Sequence, residues 1–293
     1  GFTGLANKNV KVTDAVVVAT IGELSTILAG TTGVVTATAN GTVAQLLTIA
    51  NATSGKDALT LKVTNGAGVT AAQLLTLDGF TSVKVDASAV TAISGNAADV
   101  KKLVAAKGVE IAKDVKIDLS GTTTNASDLA TILKATTGEV KATVAADTAA
   151  KLNAALKDAN SGDALTLTVN GTTATAKDLI SLDGKTTAIT LNVGAITGNI
   201  TEITKVFVDD AGNFDGEQTT AATISGEITA AQADAIADVT SKVVTATIKA
   251  DSADLLRSTL TDGTVNAYKL TVNGTTADAA DLNDLVGKTS VTV

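Results

Sequence analysis

Short stretches of alternating apolar and polar residues take turns along this chain with stretches whose apolar residues fall at helical spacing. In Ala164–Val169, Leu165, Leu167 and Val169 share one side, and Ala164, Thr166 and Thr168 the other. Val115, Ile117 and Leu119 likewise oppose Lys116, Asp118 and Ser120, and Val83, Val85 and Ala87 oppose Lys84, Asp86 and Ser88. A period of two with one apolar side predicts strands that pack on one face and meet water or a partner on the other. Strands held between two helix layers would be apolar on both faces. The intervening segments predict short helices. Asp251 or Ser252 opens one bearing Leu255, Leu256 and Leu260, and Asp147 or Thr148 opens one bearing Ala149, Leu152 and Leu156. Thr229 opens a third. NGT and LDG sequences turn the chain back toward the next strand.

These elements repeat. VVTATA at Val34, EVKATV at Glu139 and VVTATI at Val243 lie 105 and 104 residues apart, and ALTLKV at Ala58, ALTLTV at Ala164 and AYKLTV at Ala267 lie 106 and 103 apart. LSTILAGTTG from Leu24 returns as LATILKATTG from Leu129. Strand starts fall near Val10, Val34, Ala58, Val83, Val115, Glu139, Ala164, Ala188, Thr220, Val243, Ala267 and Val291. The steps are close to 24 residues, except Val83 to Val115 and Ala188 to Thr220, which are 32. A short period with one longer unit in four is a superrepeat. The expected organisation is a single array over residues 1–293, with superrepeats 10–114, 115–219 and an incomplete 220–293.

One strand and one helix per period give parallel strands joined by right-handed crossovers. The expected fold is therefore an α/β solenoid. It has a parallel sheet of about 12 strands, helices on one face and the layering of leucine-rich repeats. A closed eight-stranded barrel requires apolar residues on both strand faces, against the Thr, Lys and Asp seen on one of them.

Composition narrows the chemistry. The chain has no Cys, His, Met, Trp or Pro, and 22 basic against 30 acidic residues. That excludes thiol and imidazole catalysis, zinc sites built on those ligands, and disulfides. The acidic balance, the single Arg257 and the scarcity of aromatics argue against nucleic acid as a partner. No apolar run is long enough to predict a membrane span. With 45% hydrophobic and 18% charged residues, the chain has the composition of a packed protein.

The densest group of oxygen ligands is Asp209, Asp210, Asn213, Asp215 and Glu217, within VDDAGNFDGEQ. Calcium favours such ligands, although the spacing is not that of an EF-hand; the competing reading is a solvated loop that lengthens the fourth unit. Phe207 and Phe214 in the same segment make it the candidate binding patch, whereas Tyr268, in register with Leu270 and Val272, is expected in the core. Six N-x-S/T sequons, at Asn40, Asn51, Asn125, Asn170, Asn199 and Asn273, are candidate glycan acceptors in an exported chain. They also fit turns, because Asn-Gly favours them. The carboxylates Asp278, Asp281 and Asp284 are spaced as a solvated helix face. No nucleophile, base and orienting group are brought together, so no enzyme is expected.

The segments ITAAQADAIADVTSKVVTATI, DGTVNAYKLTVNGTTADAADLNDLVGKTSVTV and SGDALTLTVNGTTATAKDL resemble the tandem repeats of giant bacterial cell-surface proteins. These are best represented in cyanobacteria, where they form surface coats or support swimming and attachment. The resemblance runs from about Val10 to Val293. It implies secretion to the cell surface and a structural role in a filament, sheath or surface layer, and it carries no catalytic residues. The expected partners are neighbouring repeats or further copies stacked end to end, since neither GFTGLANKNVKV nor Val291–Val293 reads as a cap. The alternative is an adhesin that reads carbohydrate or a surface through its open sheet face.

Overall fold

A computed structural model describes residues 4–15, 21–49, 56–186 and 188–291. It is a mixed α/β structure of parallel sheets and short helices, divided into two compact units. The first comprises residues 1–143 and 162–164, and the second 144–161 and 165–293.

In the first unit the strands are β1 (Val10–Lys11), β2 (Val35–Gly41), β3 (Ala58–Val63), β4 (Val69–Thr70), β5 (Val85–Ala87), β6 (Ala92–Ser94), β7 (Val109–Ile111), β8 (Lys116–Thr124) and β9 (Val140–Val144). They form two open ladders, β1-β2-β3-β5-β7 and β4-β6-β8-β9. The helices are α1 (Ile21–Gly30), α2 (Val43–Leu47), α3 (Ala71–Asp78), α4 (Ala97–Ala105) and α5 (Ala126–Leu133).

The second unit contains α6 (Ala149–Ala155), β10 (Ala164–Thr175), α7 (Ala176–Asp183), β11 (Ala188–Asn199), α8 (Ile200–Thr204), β12 (Phe214–Asp215), β13 (Ala221–Ile228), α9 (Ala230–Ala237), β14 (Val244–Ile248), α10 (Ala253–Thr259), β15 (Ala267–Lys269) and α11 (Ala279–Lys288). Its strands run β10-β11-β13-β14-β15, with β12 added beside β11.

The alternation predicted from sequence is realised. Leu165, Leu167 and Val169 are buried, as are Val115, Ile117 and Leu119, while Lys116, Asp118 and Ser120 are exposed. Each buried Leu or Val removed from water contributes roughly 1.5–3 kcal/mol. The helices turn one face inward, through Leu129, Ile132 and Leu133 in α5 and Leu74 and Leu77 in α3. They are too short to persist alone, and their first turns are tied by caps. Thr42 with Gln45, Thr70 with Gln73, Thr229 with Gln232 and Asn199 with Glu202 close reciprocal capping boxes. Ser252 caps α10 as expected, and Thr148 holds the N-cap position of α6 without a side-chain bond.

Three expectations are corrected. The described residues contain fifteen strands, not about twelve, because several periods supply a second short strand, as β4 follows β3 and β6 follows β5. Val83 and Leu255, read as inward, are 38% and 49% exposed. Val83 precedes the first ladder residue, Val85, and Leu256 and Leu260 are buried without Leu255. The 32-residue units are also more than lengthened loops. In the first, β7 pairs with β5 and β8 pairs with β6. In the second, β12 pairs with the start of β11 at Ile189 and Thr190, and β13 pairs with its end from Ala195 to Asn199. The extra residues of each long unit thus add a last strand to one ladder, and the chain continues in the next. The strand start expected at Val291 lies largely outside the described residues, which end there.

Candidate functional surface

The acidic segment is the most irregular part of the second unit. After α8 the chain makes a wide turn closed by the Asp210 amide on the Lys205 carbonyl at 2.9 Å. Val206 and Phe207 point into the core, and Phe214 is buried in β12. The two Phe therefore form no surface patch, which corrects the sequence reading. Gly216 has φ +108°, and a Cβ there would lie 2.7 Å from the Leu191 carbonyl oxygen, so the turn out of β12 requires glycine.

The five predicted calcium ligands are divided among different tasks. Asp210 pairs with the Lys205 ammonium at 2.6 Å, and this hydrogen bond raises the lysine pKa. Asn213 bonds to Asp183, the last residue of α7. Burial, and then the nearby Asp210, push the Asp183 carboxyl above its ordinary range, against the Asn213 bond and the Lys205 charge. Asp209 and Asp215 are exposed, and Glu217 is 5% exposed. Asn213, Asp215 and Glu217 line a cleft of about 460 Å³. Among the described residues no three carboxylates converge in a way that would hold a metal ion. The equivalent corner of the first unit places Asp78, at the end of α3, against Gly108, where a Cβ would lie 1.8 Å from a carboxylate oxygen. The aspartate of each LDG sequence thus abuts the residue preceding the extra strand, Gly108 before β7 and Asn213 before β12.

A second set of polar residues, which sequence reasoning missed, ties each period to the one before it. Thr136 Oγ1 donates to the Val115 carbonyl at 2.6 Å and accepts the Gly138 amide at 2.9 Å. Thr81 bonds to the Leu59 carbonyl at 2.8 Å, Thr240 to the Thr220 carbonyl at 2.7 Å and Thr289 to the Tyr268 carbonyl at 2.6 Å. Thr186 makes the same bond to Leu165. The following Ser or Thr repeats the reach through its hydroxyl, Ser82 to Asp57, Thr137 to Lys113, Ser241 to Gln218 and Ser290 to Asn266. Elsewhere an acid or amide does the work. Asp57, Asp163 and Asn266 are buried and accept the amides of Val35, Val140 and Val244 at 2.7, 2.8 and 2.7 Å. The signal was present in the recurrence of Thr-Thr or Thr-Ser just before a strand, but a hydroxyl pair there also reads as an ordinary turn.

The outward sides of the strands differ between the units. In the first, charges face each other across the ladder, with Lys62–Asp86 at 3.9 Å and Lys116–Glu139 at 3.1 Å. Exposed pairs of this kind add little stability. In the second, Thr175, Thr197, Thr223 and Thr245 stand in register across four strands. Of the sequon residues, Asn125 and Asn199 cap helices, Asn170 is bonded to Asn192, Asn40 is half-buried in β2 and Asn273 is exposed; Asn51 lies outside the described residues. No helix among the described residues is long and apolar enough to cross a membrane. Comparison of the chain with protein-family models, curated proteins and solved structures finds no match.

Proposed function

We propose that this chain is a non-enzymatic structural repeat protein of the cell exterior, part of a surface fibre, sheath or layer. The observation that carries the reading is the repeated bonding of one period to the last by Thr81, Thr136, Thr186, Thr240 and Thr289 and by Asp57, Asp163 and Asn266. Polar side chains at the period boundaries that could serve a ligand bond the preceding period instead, the arrangement an array under tension needs. The finer form of the proposal is a right-handed solenoid with helices on one side of its sheets, extended by neighbouring repeats or further copies. Cysteine-free, threonine-rich composition and the resemblance to bacterial surface repeats support an extracellular setting. Negative-stain electron microscopy of native material tests it: rods or fibres are expected, and compact particles would refute it.

The second reading is an adhesin, favoured by the uncharged row Thr175, Thr197, Thr223 and Thr245. A calcium-stabilised form of either reading has a direct check. Calcium bound at Asp209–Glu217 raises Tm saturably, because it binds only the folded state, and Asp215→Ala abolishes the rise.

A further inference from the structure

Four asparagines precede glycine: Asn40, Asn65, Asn170 and Asn273. An Asn-Gly pair is open to a reaction that needs no enzyme. The glycine amide nitrogen loses its proton to solvent base and attacks the asparagine Cγ, forming a C–N bond while the Cγ–NH2 bond breaks and ammonia leaves. Water then opens the cyclic imide at either carbonyl, giving aspartate or its backbone-shifted isomer. The balance is one water in and one ammonia out, with no redox change. The step requires a side chain free to swing onto its own backbone and a glycine nitrogen that is not held.

Three of the four sites deny this. Asn40 and Gly41 lie within β2, in register with Lys62 and Val63 of β3. Asn65 accepts the Val43 amide at 3.0 Å and donates to the Ala67 carbonyl at 3.0 Å, so both ends of its amide are engaged. Asn170 accepts from the Asn192 side chain at 3.1 Å, and Gly171 is laddered to Val193. Asn273 is different. Its backbone amide bonds to the Asp251 carbonyl at 2.8 Å, but its exposed side chain has no hydrogen-bond partner among the described residues. Residues 273–280 are all exposed. Gly274, at φ +121°, has only the Thr276 carbonyl oxygen near its missing Cβ, at 3.4 Å. Glycine there leaves the backbone free to reach the cyclising geometry.

We propose that Asn273 is a site of spontaneous covalent modification, at which the side-chain amide is converted to a carboxylate through a cyclic imide with Gly274. The product places a new negative charge in the loop that leads to the Asp278 cap of α11. The isomerised form also lengthens the main chain at that turn.

The test is peptide mapping by mass spectrometry after incubation of the folded protein in mildly alkaline buffer, beside a sample in denaturant. In the folded protein, exchange of –NH2 for –OH is expected at Asn273 about tenfold or more faster than at Asn40, Asn65 or Asn170, which must await local opening. In denaturant all four are expected to react at comparable rates. Asn273→Gln is expected to abolish the early acidic charge variant. Equal rates at the four sites in the folded protein would overturn the proposal. So would an Asn273 that stays intact when folded yet reacts in denaturant.

Discussion

The Asp163 carboxylate accepts the amide of Val140 at 2.8 Å, and both residues are buried. Asp57 and Asn266 make the same bond to Val35 and Val244. A carboxylate and an amide both supply the accepting oxygen, although the Asn266 amide also donates to the Asp262 carboxylate at 2.7 Å and the Thr264 carbonyl at 3.2 Å. Asp57→Asn is therefore expected to fold with little loss, whereas Asp57→Ala strands a buried N–H and costs about 1–3 kcal/mol. Urea denaturation of the two variants separates these outcomes. Equal losses would show that the charge, not the acceptor, matters.

The threonine ties have a similar signature. Thr136→Val keeps the shape but removes a donor to Val115 and an acceptor for Gly138. A loss of about 1–3 kcal/mol is expected in chemical denaturation, with Thr136→Ser retaining most of the stability.

Strand faces are tested by a pair of charges. Leu167 is fully buried and its neighbour Thr166 exposed. Leu167→Asp forces an unpaired charge into the core and is expected to unfold the second unit or cost at least ~4 kcal/mol. Thr166→Asp is expected to stay within about 0.5 kcal/mol of the parent in the same melt. Similar losses at both would mean that the sheet is covered on both sides.

Tyr268 is 2% exposed, and its hydroxyl has no hydrogen-bond partner among the described residues. Burial, helped by Asp262, Asp234 and Asp238, raises its pKa above the ordinary tyrosine value. A raised folded pKa means that stability is intact below the unfolded value, near 10, and is lost as pH climbs above it. Tyr268→Phe is expected to be neutral or stabilising at pH 7, and to flatten the alkaline fall in Tm. A large loss at pH 7 would show that the hydroxyl is used.

The period and the buried faces were legible because small β-branched and aliphatic residues alternate cleanly, as at Leu165, Leu167 and Val169. The short strands β4, β6, β7 and β12 were not, because two or three residues carry too little alternation to register. Phe207 and Phe214 beside four acids read as a patch, but Phe214 stands 105 residues after Val109, and that correspondence marks it as core. The calcium grouping looked coherent along the chain. In space the wide turn at Lys205 hands Asp210 an ammonium, and the LDG aspartate draws Asn213 away.

Antibody labelling of intact cells that produce this chain, viewed by electron microscopy, tests the central claim most directly. The account predicts label on the outside of unpermeabilised cells, following fibres or a continuous coat. Label that appears only after the envelope is opened would contradict it.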